Sequence, residues 1–175
     1  MTRQQVIRET GLPKVDYHCH ISITEYSDPA NPTIIAVTKD EFIADLQEAG
    51  IDKAVVLSDA RTSPEQVSEF CSQDLSRFIG FGYVNAVQRG MGEEVLRQRH
   101  ELGLHGLKLY PCSDGYKPDD THAFKVYEAA SSIGMPIMFH HAGMPVNYDY
   151  LYHTDPAQID VIAGDGVLIK GRVGC

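Results

Sequence analysis

Residues 14–21, KVDYHCHI, decide how this chain is read. Two histidines, His18 and His20, stand one residue apart near the end of a short apolar run that begins at Val15. In a strand, side chains alternate between faces, so Asp16, His18 and His20 point one way while Tyr17, Cys19 and Ile21 point the other. Two imidazoles two positions apart on one face can reach a single metal ion. A buried strand has no ordinary reason to gather a carboxylate and two imidazoles on one side unless something pairs with them.

Outward from that strand, residues 22–38 contain SDPANP, whose prolines, asparagine and aspartate disfavour regular structure. A loop of that length after a strand is more often functional than idle. Thr38 with Glu41 reads as a capping box, and Phe42, Ile43, Leu46 and Ala49 recur at helical spacing until Gly50 ends the helix. Residues 53–58 (KAVVLS) read as a buried strand, and Ser63-Pro64 opens a helix with Val67, Phe70 and Cys71 as its stripe. A third strand is expected over 78–84, and a helix over 92–102 with Val95, Leu96 and Leu102 inward. The fourth strand is 106–110 (GLKLY), stopped by Pro111. A helix capped by Thr121 then runs to Ile133 with Phe124, Val126, Tyr127 and Ala130 apolar. Residues 136–140 (PIMFH) form a fifth strand ending in two histidines, Asp155-Pro156 begins another helix through Ala163, and 166–173 reads as a sixth strand.

Strand and helix alternate throughout, which argues for a parallel sheet with crossover helices. An open doubly wound sheet and a closed barrel both fit such alternation. No glycine-rich phosphate turn follows the first strand. That strand ends in histidines instead, and strand ends are where a barrel carries its chemistry. The expected fold is therefore α/β, a TIM-type (β/α)8 barrel forming a single domain over 1–175. Since such barrels usually take about 250 residues, roughly the first five to six β/α units are expected here.

Composition narrows the function. The net charge of −9 argues against nucleic acid, which needs a basic face. Apolar runs are strand-sized, so no membrane span is expected, and the first residues lack the apolar core of a secretory signal. Cys19, Cys71, Cys112 and Cys175 are scattered with no CxxC pair, which favours reduced thiols and a cytoplasmic protein. Cys19, between the histidines but on the opposite face, reads as packing.

VDYHCHI (15–21), GLHGLKLYP (103–111) and MPIMFHHAG (135–143) resemble, in that order and spacing, the amidohydrolase-related family of metal-dependent hydrolases. The resemblance is to the branch that includes decarboxylases of aromatic and unsaturated acids, and it covers residues 13–163. It implies that DxHxH closes the first barrel strand and a histidine closes the fifth, making His18, His20 and His140 metal ligands. Three imidazoles leave a coordination position open, which suits a catalytic Zn²⁺ or another divalent ion. Such an ion would activate a water and polarise a small carbonyl or carboxylate substrate for hydrolysis or decarboxylation. Family members add a histidine on strand six and an aspartate on strand eight. Neither has a counterpart in this sequence, so the catalytic acid or base is expected from that later part of the family layout, and the chain reads as C-terminally incomplete.

Each assignment has a blander rival. Asp16 is expected as the acceptor behind a ligating imidazole, or as a structural carboxylate. Lys108, sharing a face with Gly106 and Tyr110, is costly to bury unpaired. It is read as holding a substrate carboxylate or as snorkelling to the strand end; the resemblance adds carbamylation to bridge two metals. His141 is a loop residue or a substrate contact. His100 and His105 read as ordinary helix-end and loop residues. Glu25 and Tyr26 belong to a solvated loop, and Tyr148, Tyr150, Tyr152 and His153 read equally as surface packing or substrate lining. Two other functions compete with the small-molecule enzyme: a DxHxH phosphoesterase or nuclease, which the acidic charge disfavours, and an inactive barrel fragment that works only by association. Open strand edges would favour a homo-oligomer.

Overall fold

Strands and helices alternate along the chain wherever apolar runs meet turn residues. A computed structural model describes residues 13–21, 39–141, 151–164 and 173–174. The elements are β1 (Val15–Cys19), α1 (Lys39–Glu48), β2 (Lys53–Leu57), α2 (Pro64–Ser72), β3 (Phe78–Tyr83), α3 (Met91–His100), β4 (Gly106–Leu109), a short α4 (Pro111–Asp114), α5 (Phe124–Ser132), β5 (Ile137–Phe139), a 3-10 turn (Leu151–Thr154), α6 (Ala157–Gly164) and β6 (Val173–Gly174). The strands follow one another in the sheet in chain order. The pairs β1·β2, β3·β4, β4·β5 and β5·β6 are parallel. Sequential parallel strands, with no reversal of order, are the arrangement of a (β/α) barrel rather than of a doubly wound sheet. The fold is a partial (β/α) barrel. Contacts divide the chain into two compact units, Met1–Gly80 and Phe81–Cys175, the division falling within β3.

In the first unit β2 is the core strand, with Ala54, Val55, Val56 and Leu57 fully enclosed. Three aromatic rings pin α1 and α2 to the start of β3: Phe70 lies 4.9 Å from Phe78, and Phe42 lies 5.9 and 6.1 Å from Phe70 and Phe78. Gly50, at φ 65°, ends α1, and the Ile51 N–H returns to the Leu46 carbonyl at 2.8 Å, closing the helix with a left-handed residue as expected. Ser63 caps α2 reciprocally: its hydroxyl accepts from the Gln66 N–H and the Gln66 side chain accepts from the Ser63 N–H. The β1·β2 register runs Val15↔Lys53 and Asp16↔Ala54, then shifts before Cys19↔Val56. Thr38 and the loop at 22–38 lie outside the described residues.

In the second unit the register fixes two faces. Phe81↔Gly106, Tyr83↔Lys108 and Lys108↔Met138 share one face of the sheet. Leu107, Leu109, Ile137 and Phe139 take the other, where Phe139 meets Tyr127 of α5 at 5.8 Å. A glycine sits in close quarters on each. A Cβ at Gly106 would fall 2.3 Å from the Phe81 ring, and one at Gly82 would collide with the Gln98 side chain of α3. Gln98, not Leu96 or Leu102, is the buried partner of Val95 on α3, because its amide donates to the Tyr83 carbonyl at 3.0 Å.

Two further elements differ from expectation. Thr121 does not cap α5. The helix starts at Phe124, because the Asp120 carboxylate takes the His122 N–H at 2.9 Å and makes a turn there first. Pro111 stops β4 as expected, but it also opens α4, occupying the first helical position where its missing N–H does no harm.

Candidate active site

In the first unit, Cys19 and Ile21 are buried while His18 and His20 are exposed. The two imidazoles converge: His18 Nε2 lies 3.2 Å from His20 Nε2. Bonds of about 2.0–2.1 Å to one tetrahedral ion would place two nitrogens roughly 3.3 Å apart. The pair therefore has the spacing of two ligands of one metal. Asp59, just beyond β2, brings Oδ2 to 3.3 Å from His20 Nδ1. Burial pushes the Asp59 carboxyl up, but the His20 contact and the Arg61 and Thr62 N–H groups outweigh it and hold it below the usual carboxylate value.

Asp16, expected as an acceptor behind a histidine or as a structural carboxylate, faces its own strand's backbone. Its carboxylate accepts the His18 backbone N–H at 3.0 Å and lies beside the Cys19 thiol. The register shift between Asp16 and Cys19 interrupts the simple alternation that would have set Asp16 beside the imidazoles. Burial, with the Asp16 charge beside it, pushes the Cys19 thiol up to about 12, so this cysteine is inert packing, as its parity suggested.

In the second unit the candidate residue Lys108 shares a face of the sheet with Tyr83. Lys108 is 1% exposed. Among the described residues no carboxylate forms an ion pair with it. Its Nζ sits 5.3 Å from the centre of the Tyr110 ring. Burial pulls the ammonium down to about 8, opposed by the nearby Cys112. Tyr110 also packs against Tyr83 at 5.7 Å and against His140 at 5.4 Å. Tyr83 in turn donates its hydroxyl to Asp114 Oδ1 at 2.6 Å. Burial raises the Asp114 carboxyl to about 6 despite that bond. The His141 ring lies against Phe139, 6.2 Å between centres.

Among the described residues no group of three or more His, Cys, Asp or Glu forms a metal-ligand cluster. The structure brings together His18 and His20 and holds His140 in the second unit. His100 and His105 are exposed. Tyr152 is exposed with Lys117 over its ring at 4.7 Å. Glu25, Tyr26, Tyr148, Tyr150 and Cys175 lie outside the described residues. Sequence reasoning missed Asp59, Tyr83 and Asp114. Tyr83 could have been found from strand parity, since it is the cross-strand neighbour of Lys108; nothing local marks Asp59 or Asp114.

A partial (β/α) barrel whose first strand ends in converging imidazoles has the layout of barrel enzymes that carry their chemistry at strand ends. Residues 15–164 match the amidohydrolase family model, and the chain belongs to that family. No curated protein matches the chain. Among solved structures, 2,6-dihydroxybenzoate decarboxylase from Rhizobium is similar at 14% identity and a TM-score of 0.67, covering 92% of this chain and 65% of its own. The 5-carboxyvanillate decarboxylase of Novosphingobium aromaticivorans, complexed with manganese and a nitrobenzoic acid, is 17% identical, with a TM-score of 0.64 over 89% of this chain and 55% of its own. A TIM-barrel protein from Bordetella bronchiseptica is 16% identical, with a TM-score of 0.67 over 88% of this chain and 63% of its own. The chain thus spans somewhat less than two thirds of these relatives. No described helix is long and apolar enough to cross a membrane.

Proposed function

We propose that the protein is a divalent-metal-dependent enzyme that hydrolyses or decarboxylates a small carbonyl or carboxylate substrate. His18, His20 and His140 are its metal ligands and Zn²⁺ the resident ion. The observation that carries this reading is the 3.2 Å approach of His18 Nε2 to His20 Nε2 at the end of β1. A donor set of neutral imidazoles suits zinc, and family membership adds weight to a metal. When bound, the ion supplies Lewis acidity and an activated water.

The chain's own residues supply recognition. Lys108 offers a positive charge in apolar surroundings with no carboxylate neutralising it among the described residues, which suits the carboxylate of a substrate. The Tyr110 ring beside its Nζ excludes water and strengthens that attraction. Lys108 is assigned this role ahead of His141, whose ring is turned to Phe139. The scattered, buried cysteines Cys19, Cys71 and Cys112 favour a reducing, cytoplasmic location. Val15 and Tyr17, 50% and 48% exposed on β1, favour self-association through that strand.

The test is metal content. Purified full chain should hold about one divalent ion per chain by elemental analysis, and His18→Ala and His20→Ala should each lose most of it. Protein without metal that also fails to bind added Zn²⁺ or Mn²⁺ would sink the reading.

A further inference from the structure

The turn that follows β2 grips the end of β1 in two places, and nothing in the metal reading requires it. Asp59 Oδ1 accepts the backbone N–H groups of Arg61 at 2.8 Å and Thr62 at 2.9 Å. The Asp59 N–H donates back to the Thr62 carbonyl at 3.1 Å, and the buried Ser58 hydroxyl donates to the same carbonyl at 2.6 Å. With one oxygen and its own backbone thus tied down, the carboxylate has little freedom left, and its second oxygen faces His20 Nδ1 at 3.3 Å. The Thr62 hydroxyl, also buried, donates to the Ile21 carbonyl at 2.8 Å, directly after His20 in the chain. One five-residue turn therefore holds both the His20 ring and the backbone beside it.

We propose that Asp59 is a positioning residue for His20, fixing its ring and its tautomer, and that the 58–62 turn is the clip that holds it there. This rests on His20 being a metal ligand through Nε2. A carboxylate can only accept, so a neutral His20 that bonds to Asp59 carries its proton on Nδ1. Nε2 is then left with its lone pair, aimed where His18 Nε2 also lies. Without that acceptor the imidazole is free to carry its proton on Nε2 and to rotate, and the pair loses its shared focus.

Asp59→Asn separates this role from a merely structural one. The asparagine oxygen can still accept the Arg61 and Thr62 N–H groups and keep the turn. Its amide nitrogen, however, donates to His20 Nδ1 and drives the proton to Nε2. Two readouts apply to the full chain. In metal-free ¹⁵N-labelled protein, with the His20 signals identified by their loss in His20→Gln, wild type shows the Nδ1–H tautomer and Asp59→Asn shows Nε2–H. In a titration with ZnCl₂ alone, Asp59→Asn binds about 10–100-fold more weakly. An unchanged tautomer in Asp59→Asn overturns the proposal. If wild type binds no zinc, the metal reading fails, while the tautomer comparison still decides the role of Asp59. Should Asp59→Asn not fold, Thr62→Val takes its place: it removes the hydroxyl that holds Ile21, and zinc affinity falls several-fold with the Nδ1–H tautomer retained. Affinity equal to wild type in that variant overturns the clip.

Discussion

Lys108 shows what one buried side chain implies for pH. Its folded ammonium titrates at about 8, below the ordinary 10.5, because burial disfavours the charge. Below pH 8 both folded and unfolded chains carry the proton and the full penalty applies; between 8 and 10.5 the unfolded chain holds more protons and the penalty fades. Lys108→Met should therefore unfold later than wild type at pH 7, by up to roughly 3 kcal/mol, with the gain disappearing as pH rises towards 10.5. Urea denaturation at several pH values checks this, and a gain independent of pH would refute it. Asp114 behaves with the opposite sign. Its carboxyl, raised to about 6, is protonated in both states below pH 4 and destabilises the fold only once ionised. Asp114→Asn, which can still accept the Tyr83 hydroxyl, should match wild type at pH 4 and exceed it at pH 7. At this scale the sequence revealed the burial problem of Lys108 and the pairing of His18 with His20, both set by a period of two. Asp59 and Asp114 were invisible because each acts on a residue far away in the chain.

Among the elements, α2 and β4 carry the clearest consequences of local chemistry. The α2 cap was readable from Ser63-Pro64, since a hydroxyl before a first-turn proline serves N–H groups that no helix can satisfy internally. Ser63→Ala should lower stability by about 1 kcal/mol in chemical denaturation. The Thr121 cap failed for an equally local reason: Asp120, one residue earlier, competes better for the nearby N–H groups. Gly106 on β4 lies directly across from Phe81, and the ring occupies the space a methyl would need. Gly106→Ala should destabilise by roughly 1–3 kcal/mol, and adding Phe81→Leu should recover much of the loss. If the two substitutions simply add, the ring is not the obstacle. Tertiary register, not strand propensity, makes that glycine necessary.

For the whole molecule, the proposed metal would be linked to stability. An ion that binds only the folded chain stabilises it by about 2.7 kcal/mol at one hundred times its dissociation constant. For a chain of this size that amounts to a rise of roughly 5–10 °C in Tm. ZnCl₂ should produce such a rise in wild type and none in a His18→Ala, His20→Ala double variant. A rise that persists in the double variant would place the binding elsewhere.

The alternation of strand-like and helix-like runs was enough to determine a parallel sheet with crossover helices, because strand and helix periods are local properties that each segment carries within itself; the histidines ending the first strand, with no phosphate turn after it, chose the barrel over the doubly wound sheet. The same local period brought His18 and His20 to one face. The tertiary structure alone decided which carboxylate stands beside His20. A register shift in β1 turns Asp16 to its own backbone and to Cys19, while a turn from the neighbouring strand delivers Asp59 to His20. It also decided that Lys108 lies over Tyr110 within reach of no described carboxylate. Those outcomes depend on register between strands, which no stretch of sequence specifies without its partner.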